Sequence, residues 1–235
     1  YASMRLFDEI SALDGMEFGF HRHGMVDVFE TEEGLDAARR DADLLSRNGL
    51  SVDVLNREEV FGLIPALSNR TTGGVLHRDD GHLKPQKFVS DLSSYLARLG
   101  VDIREQTEVL AFEEAGGRIN AVKTTRGVVE TNQVVLCAGS WASRLGDLVG
   151  LSLPIQPAKG YSVTVKRPAD WPEMPLVLSE AKVGVTPMVD TLRFAGTLEL
   201  GGFDESVNQR RIDAILRAVQ RSFPSLDVSE QETVE

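Results

Sequence analysis

The chain has 235 residues and a formal net charge of −11, with 42% hydrophobic and 26% charged residues. That length can bury a substantial core in one or two domains, and the acidic balance argues against nucleic acid or an anionic membrane as a direct partner. The single cysteine rules out an internal disulfide and suits a reducing compartment, and no apolar run approaches a membrane span.

In chain order, residues 1–15 read as a helix with Met4, Leu6, Phe7, Ile10 and Leu13 along one side. Phe18-Gly19-Phe20 and Met25 to Phe29 flank the polar turn His21-Arg22-His23-Gly24 and predict a β-pair. Thr31 is placed to cap a helix with Leu35, Ala38, Ala42 and Leu45 inward, ending near Asn48-Gly49. Val52 to Leu55 predicts a strand, Asn56 caps a short helix before Pro65, and Thr71 to His77 returns as a strand. Phe88 to Leu99 has a helical apolar face closed by Gly100. Val101 to Ile103 then predicts a strand, followed by a second through Phe112, a turn at Ala115-Gly116-Gly117, a strand from Ile119 to Thr125, and another from Val128 to Thr131.

Val134, Val135, Leu136 and Cys137 form a run of β-formers that predicts a strand buried on both faces, with Cys137 as a buried structural thiol. Ala138-Gly139 ends the run, and Ser140 can cap a following helix. A small residue and a glycine between strand and helix allow close approach of a ligand backbone or anion, a common way to hold a nucleotide cofactor. From Ile155 the texture turns to Val- and Thr-rich strands at Gly160 to Lys166, Leu176 to Ser179, Val183 to Val189 and Leu192 to Thr197, which argue for an antiparallel sheet. Asn208 to Ser222 predicts a helix with Ile212, Ile215, Leu216 and Val219 inward, stopped at Pro224.

The stretches GHLKPQKFVSDLSSYLARLGVDIREQTEVLAF, QVVLCAGSWASRL, LPIQPAKGYSVTV and FAGTLELGGFD, in this order, resemble the FAD-dependent D-amino acid oxidase superfamily and within it the bacterial D-amino acid dehydrogenase type. The resemblance implies an α/β plus α+β chain: a partial FAD-binding domain with an antiparallel-sheet substrate domain flanked by helices. It places residues 1–84 and 154–235 in the substrate domain and 85–153 in the FAD-binding domain. Two lobes with those boundaries are expected. Such proteins carry a G-x-G-x-x-G strand-helix turn and a C-terminal flavin segment that are not found here. The chain is therefore expected to be a central piece of a longer enzyme, inactive and without bound FAD by itself.

The same resemblance supplies site candidates. Tyr161 is expected to face the substrate side of the flavin, where a phenol could donate to a carboxylate, although a strand Tyr packed on a neighbour is the plain structural alternative. Val109 matches a position whose backbone meets the adenine edge of FAD, Ala138 and Gly139 match positions lining adenosine and pyrophosphate, and Trp141 matches an aromatic packed in the same region. Arg22 and Arg193 are the arginines available for a substrate carboxylate. His21, His23, His77 and His82 read as turn or surface residues, with no complete metal-ligand set, and Lys159 and Gly160 read as structural. Asp79-Asp80 reads as a solvated turn that could also serve as a hinge.

In the full-length protein the resemblance implies oxidation of a D-amino acid to a 2-oxo acid and ammonia, with hydride passing from Cα to flavin N5. A quinone is one electron acceptor compatible with the resemblance, oligomers are compatible with the family, and the cytoplasm is the implied location, with peripheral attachment to the inner membrane as an alternative. Other superfamily substrates are glycine, sarcosine, proline and 2-hydroxyglutarate. The alternative from another class is a non-catalytic binding domain on the same scaffold, which would purify colourless.

Overall fold

A computed structural model describes residues 2–229 and 231–234; Tyr1, from which the first helix was read, lies outside the described residues. The chain divides into two compact units. One takes the chain through Arg98 together with Gly160–Leu198 and the segment from Ser206, and the other takes Leu99–Lys159 with Glu199–Glu205.

The first unit is built on one eight-stranded sheet. Its strands are β1 (Met25–Phe29), β2 (Val52–Asn56) and β3 (Gly73–His77), and, later in the chain, β7 (Lys159–Lys166), β8 (Leu176–Leu178), β9 (Val183–Pro187), β10 (Thr191–Glu199) and β11 (Gln231–Val234). Their order across the sheet is β11-β7-β10-β9-β8-β1-β3-β2. The pairings of β2 with β3, β3 with β1, β8 with β9 and β9 with β10 are antiparallel, whereas β1 and β8 run parallel, so the sheet is mixed. Its helices are α1 (Ala2–Ser11), α2 (Glu32–Arg47), α3 (Arg57–Leu63), α4 (Pro85–Arg98) and α6 (Gln209–Ser222).

Local chemistry sets the helix ends. The Thr31 hydroxyl accepts from the Gly34 amide and starts α2, and Asn56 and Glu59 satisfy each other's backbone amides in a capping box at α3. Asn208 accepts from the Arg210 amide to start α6. Gly49 after α2 and Gly100 after α4 take positive φ, the left-handed conformation that a side chain resists.

Strand alternation divides the sheet's residues between two faces. Val26, Val28, Leu176, Val185, Leu192 and Phe194 point to one face and pack with Ile212, Ile215 and Val219 of α6 into the main core. On the other face α2 covers one end of the sheet, burying Leu35 and Ala42 against Phe29 and Val75. Phe194, fully buried in a central strand, anchors the main core.

Three sequence expectations give way here. Phe18 to Phe20 forms no strand with Met25 to Phe29, because β3 and β8 occupy both edges of β1. Phe18 and Phe20 instead join Phe7 and Phe88 in an aromatic cluster with ring centroids 5.0–6.5 Å apart, and His21 exchanges backbone hydrogen bonds with His82. The second unit begins at Leu99 rather than Pro85, because α4 is tied to the first unit. Phe88 packs on Phe18, the Asp91 carboxylate accepts from the Glu17 amide, and Arg98 donates to the Asp14 carbonyl. Finally, residues 101–103 form no strand. Val101 and Ile103 are exposed, and no described strand lies beside them.

The second unit carries the antiparallel meander β4 (Val109–Ala115), β5 (Arg118–Thr124) and β6 (Gly127–Glu130), joined through Gly116 and Gly117 at positive φ and through Gly127, and the short helix α5 (Ala142–Asp147). The fold is thus mixed α/β, with one mixed and one antiparallel sheet.

Two predictions follow from the packing and charge of the first unit. Phe194→Ala removes a fully buried ring and should cost about 3–5 kcal/mol in a denaturant titration; a loss under about 1 kcal/mol would contradict the core assignment. Burial, then the neighbouring His21 and His23 and Arg167, hold His82 below its usual 6.5 against the opposing pull of Glu173. Its contribution to stability is therefore present above 6.5 and lost as pH falls through the lowered value. The hydrogen bond that the His77 ring donates to the Asp27 carboxylate, opposed by burial and helped by the charges of Asp27 and Asp80, raises His77, whose contribution is full below 6.5 and lost as pH rises through the raised value. Melting midpoints followed across roughly pH 5 to 8 should fall less steeply on the acid side in His82→Gln and less steeply on the alkaline side in His77→Gln; unchanged slopes would refute these environments.

Candidate functional site

The cofactor candidates Val109, Ala138, Gly139 and Trp141 share the second unit. β4 is an edge strand, paired among the described residues only with β5. The Glu108 amide donates to the Thr125 hydroxyl and the Glu108 carbonyl accepts from the Thr125 amide, both directed towards β5. Since successive residues of a strand direct their amides to opposite edges, the amide and carbonyl of Val109 face the free edge. That arrangement fits recognition of a planar, hydrogen-bonding ring edge by backbone alone.

Residues 134–137 form no strand. Val135 is 85% exposed and Cys137 is exposed, so the buried-strand and buried-thiol expectations are corrected. A doubly buried parallel strand needs a ladder partner and covering layers, and no described strand pairs with this run. Ser140 caps no helix: a 3-10 turn over Gly139–Trp141 leads into α5, and neither Ala138 nor Trp141 makes a side-chain cap. Gly139 does take positive φ (51°), and an added Cβ there would meet nothing within 4 Å, so the chain turns at an open, small-residue surface. Trp141 is 53% exposed and leans on Phe203 at 5.7 Å, with the Arg144 guanidinium stacked 3.6 Å from the Phe203 centroid. Exposed apolar backbone, a left-handed glycine and an aromatic beside it are compatible with a large flat cofactor.

Tyr161 belongs to the first unit and is buried at 2% exposure on the packed face of β7, in one core with Val163 and Val165. The Arg211 guanidinium lies 5.7 Å from its ring centroid. Alternation directs Gly160, Ser162 and Thr164, not Tyr161, to the opposite face. The part of that face formed by β8, β9 and β10 carries Val177, Gly184, Thr186, Arg193 and Ala195, and an added Cβ at Gly184 would meet only the Ala195 carbonyl, at 3.7 Å. Of the two candidate arginines, Arg193 is therefore on this face, opposite Thr186, while Arg22 is held by Asp8 at 3.0 Å.

Lys159 donates to the Asp204 carbonyl at 2.8 Å within the second unit. Asp79 accepts from the Ser51 amide and the Asp80 carbonyl from the Gly24 amide, so the turn at 78–82 is pinned to its neighbours. His21, His23 and His82 cluster with ring centroids 5.3–6.2 Å apart. Among the described residues no group of three or more His, Cys, Asp or Glu is arranged to hold a metal. His77 instead pairs with Asp27, Nε2 to Oδ2 at 3.2 Å, in a half-buried setting. The sequence reading missed that pair. Its signal was Asp27 between Val26 and Val28: alternation puts a carboxylate on the face opposite two core valines.

A family model described as DAO, FAD dependent oxidoreductase, matches residues 1–234. The chain belongs to this family. A D-amino acid dehydrogenase of Rhizobium rhizogenes is 31% identical over 226 residues, covering 94% of the chain and 54% of that protein; one of Sinorhizobium medicae is 32% identical over 212 residues, covering 88% and 51%. The chain thus spans about half the length of the curated relatives it matches. Among solved structures, glycine oxidase from Bacillus cereus superposes with a TM-score of 0.89 at 23% identity, covering 99% of the chain and 66% of that protein. L-proline dehydrogenase from P. horikoshii superposes with a TM-score of 0.87 at 18% identity, covering 99% and 64%. At these identities the superpositions establish that the DAO-family chain shares a fold with these oxidoreductases.

The exposure of Cys137 is directly measurable. A thiol-specific chromogenic reagent should label the native chain at one equivalent without denaturant; labelling that needs unfolding would restore the buried-strand reading.

Proposed function

We propose that this chain is part of an FAD-dependent dehydrogenase that oxidises D-amino acids to 2-oxo acids and ammonia. The observation that carries this reading is its 31% identity, over 94% of its length, to a D-amino acid dehydrogenase. FAD, when bound, supplies the acceptor for a hydride leaving Cα. Loss of that hydride and of a proton from the amine leaves an imino acid, which water converts to the 2-oxo acid and ammonia.

The chain's own residues divide between two tasks in this reading. In the second unit the backbone edge at Val109 would meet the adenine ring of a bound FAD, while Ala138 and Gly139 would let the adenosine and pyrophosphate approach and Trp141 would pack beside them. In the first unit the β8-β9-β10 face carries the substrate, with Arg193 the arginine on that face, and Tyr161 supports that face from beneath. An electron acceptor such as a quinone completes the reading; no described helix is long and apolar enough to cross a membrane.

The test uses the full-length protein purified with its flavin and an artificial dye as electron acceptor. Dye reduction should be faster with D-amino acids than with glycine, sarcosine, L-proline or 2-hydroxyglutarate, with ammonia released in step with dye reduced. A preference for one of the latter substrates would move the protein elsewhere in the family, and a colourless protein inert to all of them would favour a binding domain.

A further inference from the structure

The first unit contains a groove to which the reaction assigns no part. It lies between α2 and the sheet, has a volume of about 550 Å³, and is lined by apolar residues that include Ala38, Val75 and Val177 and by the charged Asp41, Glu180 and Lys182 besides the Asp27–His77 pair. That volume falls in the range of small-molecule sites, about 300–1,000 Å³, and an apolar lining with a few convergent polar groups is their usual composition. The side chains of Asp27 and His77 are 29% and 21% exposed, so the pair is shielded yet reachable.

Strand register connects this groove to the substrate face. Asp27 stands opposite Val177, Val177 opposite Gly184, and Gly184 opposite Ala195, so one cross-strand row runs from the groove onto the uncovered face. Two glycines of these strands behave differently. A Cβ at Gly196 would press on Val183 at 3.1 Å and Ile215 at 3.2 Å, so packing against α6 is tight there and a side chain would push its neighbours by a few tenths of an ångström. At Gly184 no such crowding exists, and φ lies outside the left-handed region. The absence of a side chain at 184 is not demanded by packing; it leaves the row low beside the groove, where most residues would put a wall.

We infer that this groove, reached across Gly184, receives the side chain of the amino-acid substrate, and that the preferred side chain is large, apolar in its body, and ends in a hydrogen-bond donor that meets Asp27. The inference rests on the D-amino acid reading above. An indole or phenol side chain satisfies it: the ring removes apolar lining from water, and its N–H or O–H meets a carboxylate that keeps lone pairs beyond its bond to His77. A methyl side chain leaves the groove to water.

Two variants test this in the full-length flavoprotein. Gly184→Phe raises a ring between substrate face and groove, and Ala38→Phe fills the groove from the α2 side. Each should lower the ratio of kcat/KM for D-tryptophan to that for D-alanine by about tenfold or more. A second measurement does not depend on turnover. Indole-3-propionate, which has no amine to oxidise, should raise the melting midpoint of the wild type more than propionate does, and should lose that advantage in both variants. Should Gly184→Phe fail to fold, Ala38→Phe decides. Wild-type protein that oxidises D-alanine at least as well as D-tryptophan, or variants that leave both the ratio and the indole-acid shift unchanged, would overturn the groove while leaving the reaction in place. Protein that oxidises no D-amino acid would overturn the reaction, and the melting shifts would then decide the groove by themselves.

Discussion

Everything in the first unit depends on β1 having a partner on each edge. On one side it pairs antiparallel with β3, its near neighbour in the chain; on the other it pairs in parallel with β8, which arrives only after the chain has passed through the second unit. The Val26 amide donates to the Pro175 carbonyl and the Ser179 amide to the Val28 carbonyl, closing a loop of roughly 150 residues whose entropic cost must be met by what is buried along the seam. Val26, Val28, Leu176 and Leu178 meet that cost by joining the main core. Without this pairing the sheet would be two small sheets, each with an unprotected edge.

Two carboxylates hold the end of the seam. Glu180 accepts from the backbone amides of Glu30 and Thr31 and from the Thr31 hydroxyl, so a residue that follows β8 shapes the N-terminus of α2. Glu30 in turn receives Arg70, Arg221 and Ser222, joining the end of β1 to α6 and to the loop before β3. Burial pushes the Glu30 carboxyl up, but the hydrogen bonds and charges of Arg221 and Arg70 outweigh it and hold the group below its usual range. Its stabilising contribution is therefore present above the normal carboxylate range and fades as pH falls through the lowered value.

This seam also decides which residues can meet a ligand. With α6 on one face and α2 over one end of the other, the β8-β9-β10 part of the second face is the open one, and alternation sorts each strand residue accordingly. Tyr161 goes to the core, Arg193 and Gly184 to the open side, and Asp27 and His77 to the groove beside α2. One strand-register step would exchange these sets. The second unit shows what happens without such a seam: the apolar run Val134 to Cys137 forms no strand, with Val135 and Cys137 exposed, when no described strand lies beside it.

The sequence by itself determined features whose physics is local. Thr31 and Asn56 cap the helices after them as read, the periodicity of α2, α4 and α6 marks their apolar sides, and the glycines at 116, 117 and 127 make the turns of the meander. Order and motif along the chain were also enough to point to the DAO family. What depended on a partner far away in sequence was decided by tertiary structure alone. Periodicity told that β7 is a strand but not which of its faces meets α6, so the burial of Tyr161 in the core could not be read from it. Composition told that Val134 to Cys137 prefers extended backbone but not whether anything would cover it. The Asp27–His77 pair spans two strands whose registers against each other are set by hydrogen bonds no single segment contains. A side chain's intrinsic preferences act over a few neighbours, whereas burial, pairing and access are properties of whichever segment arrives to share the same space.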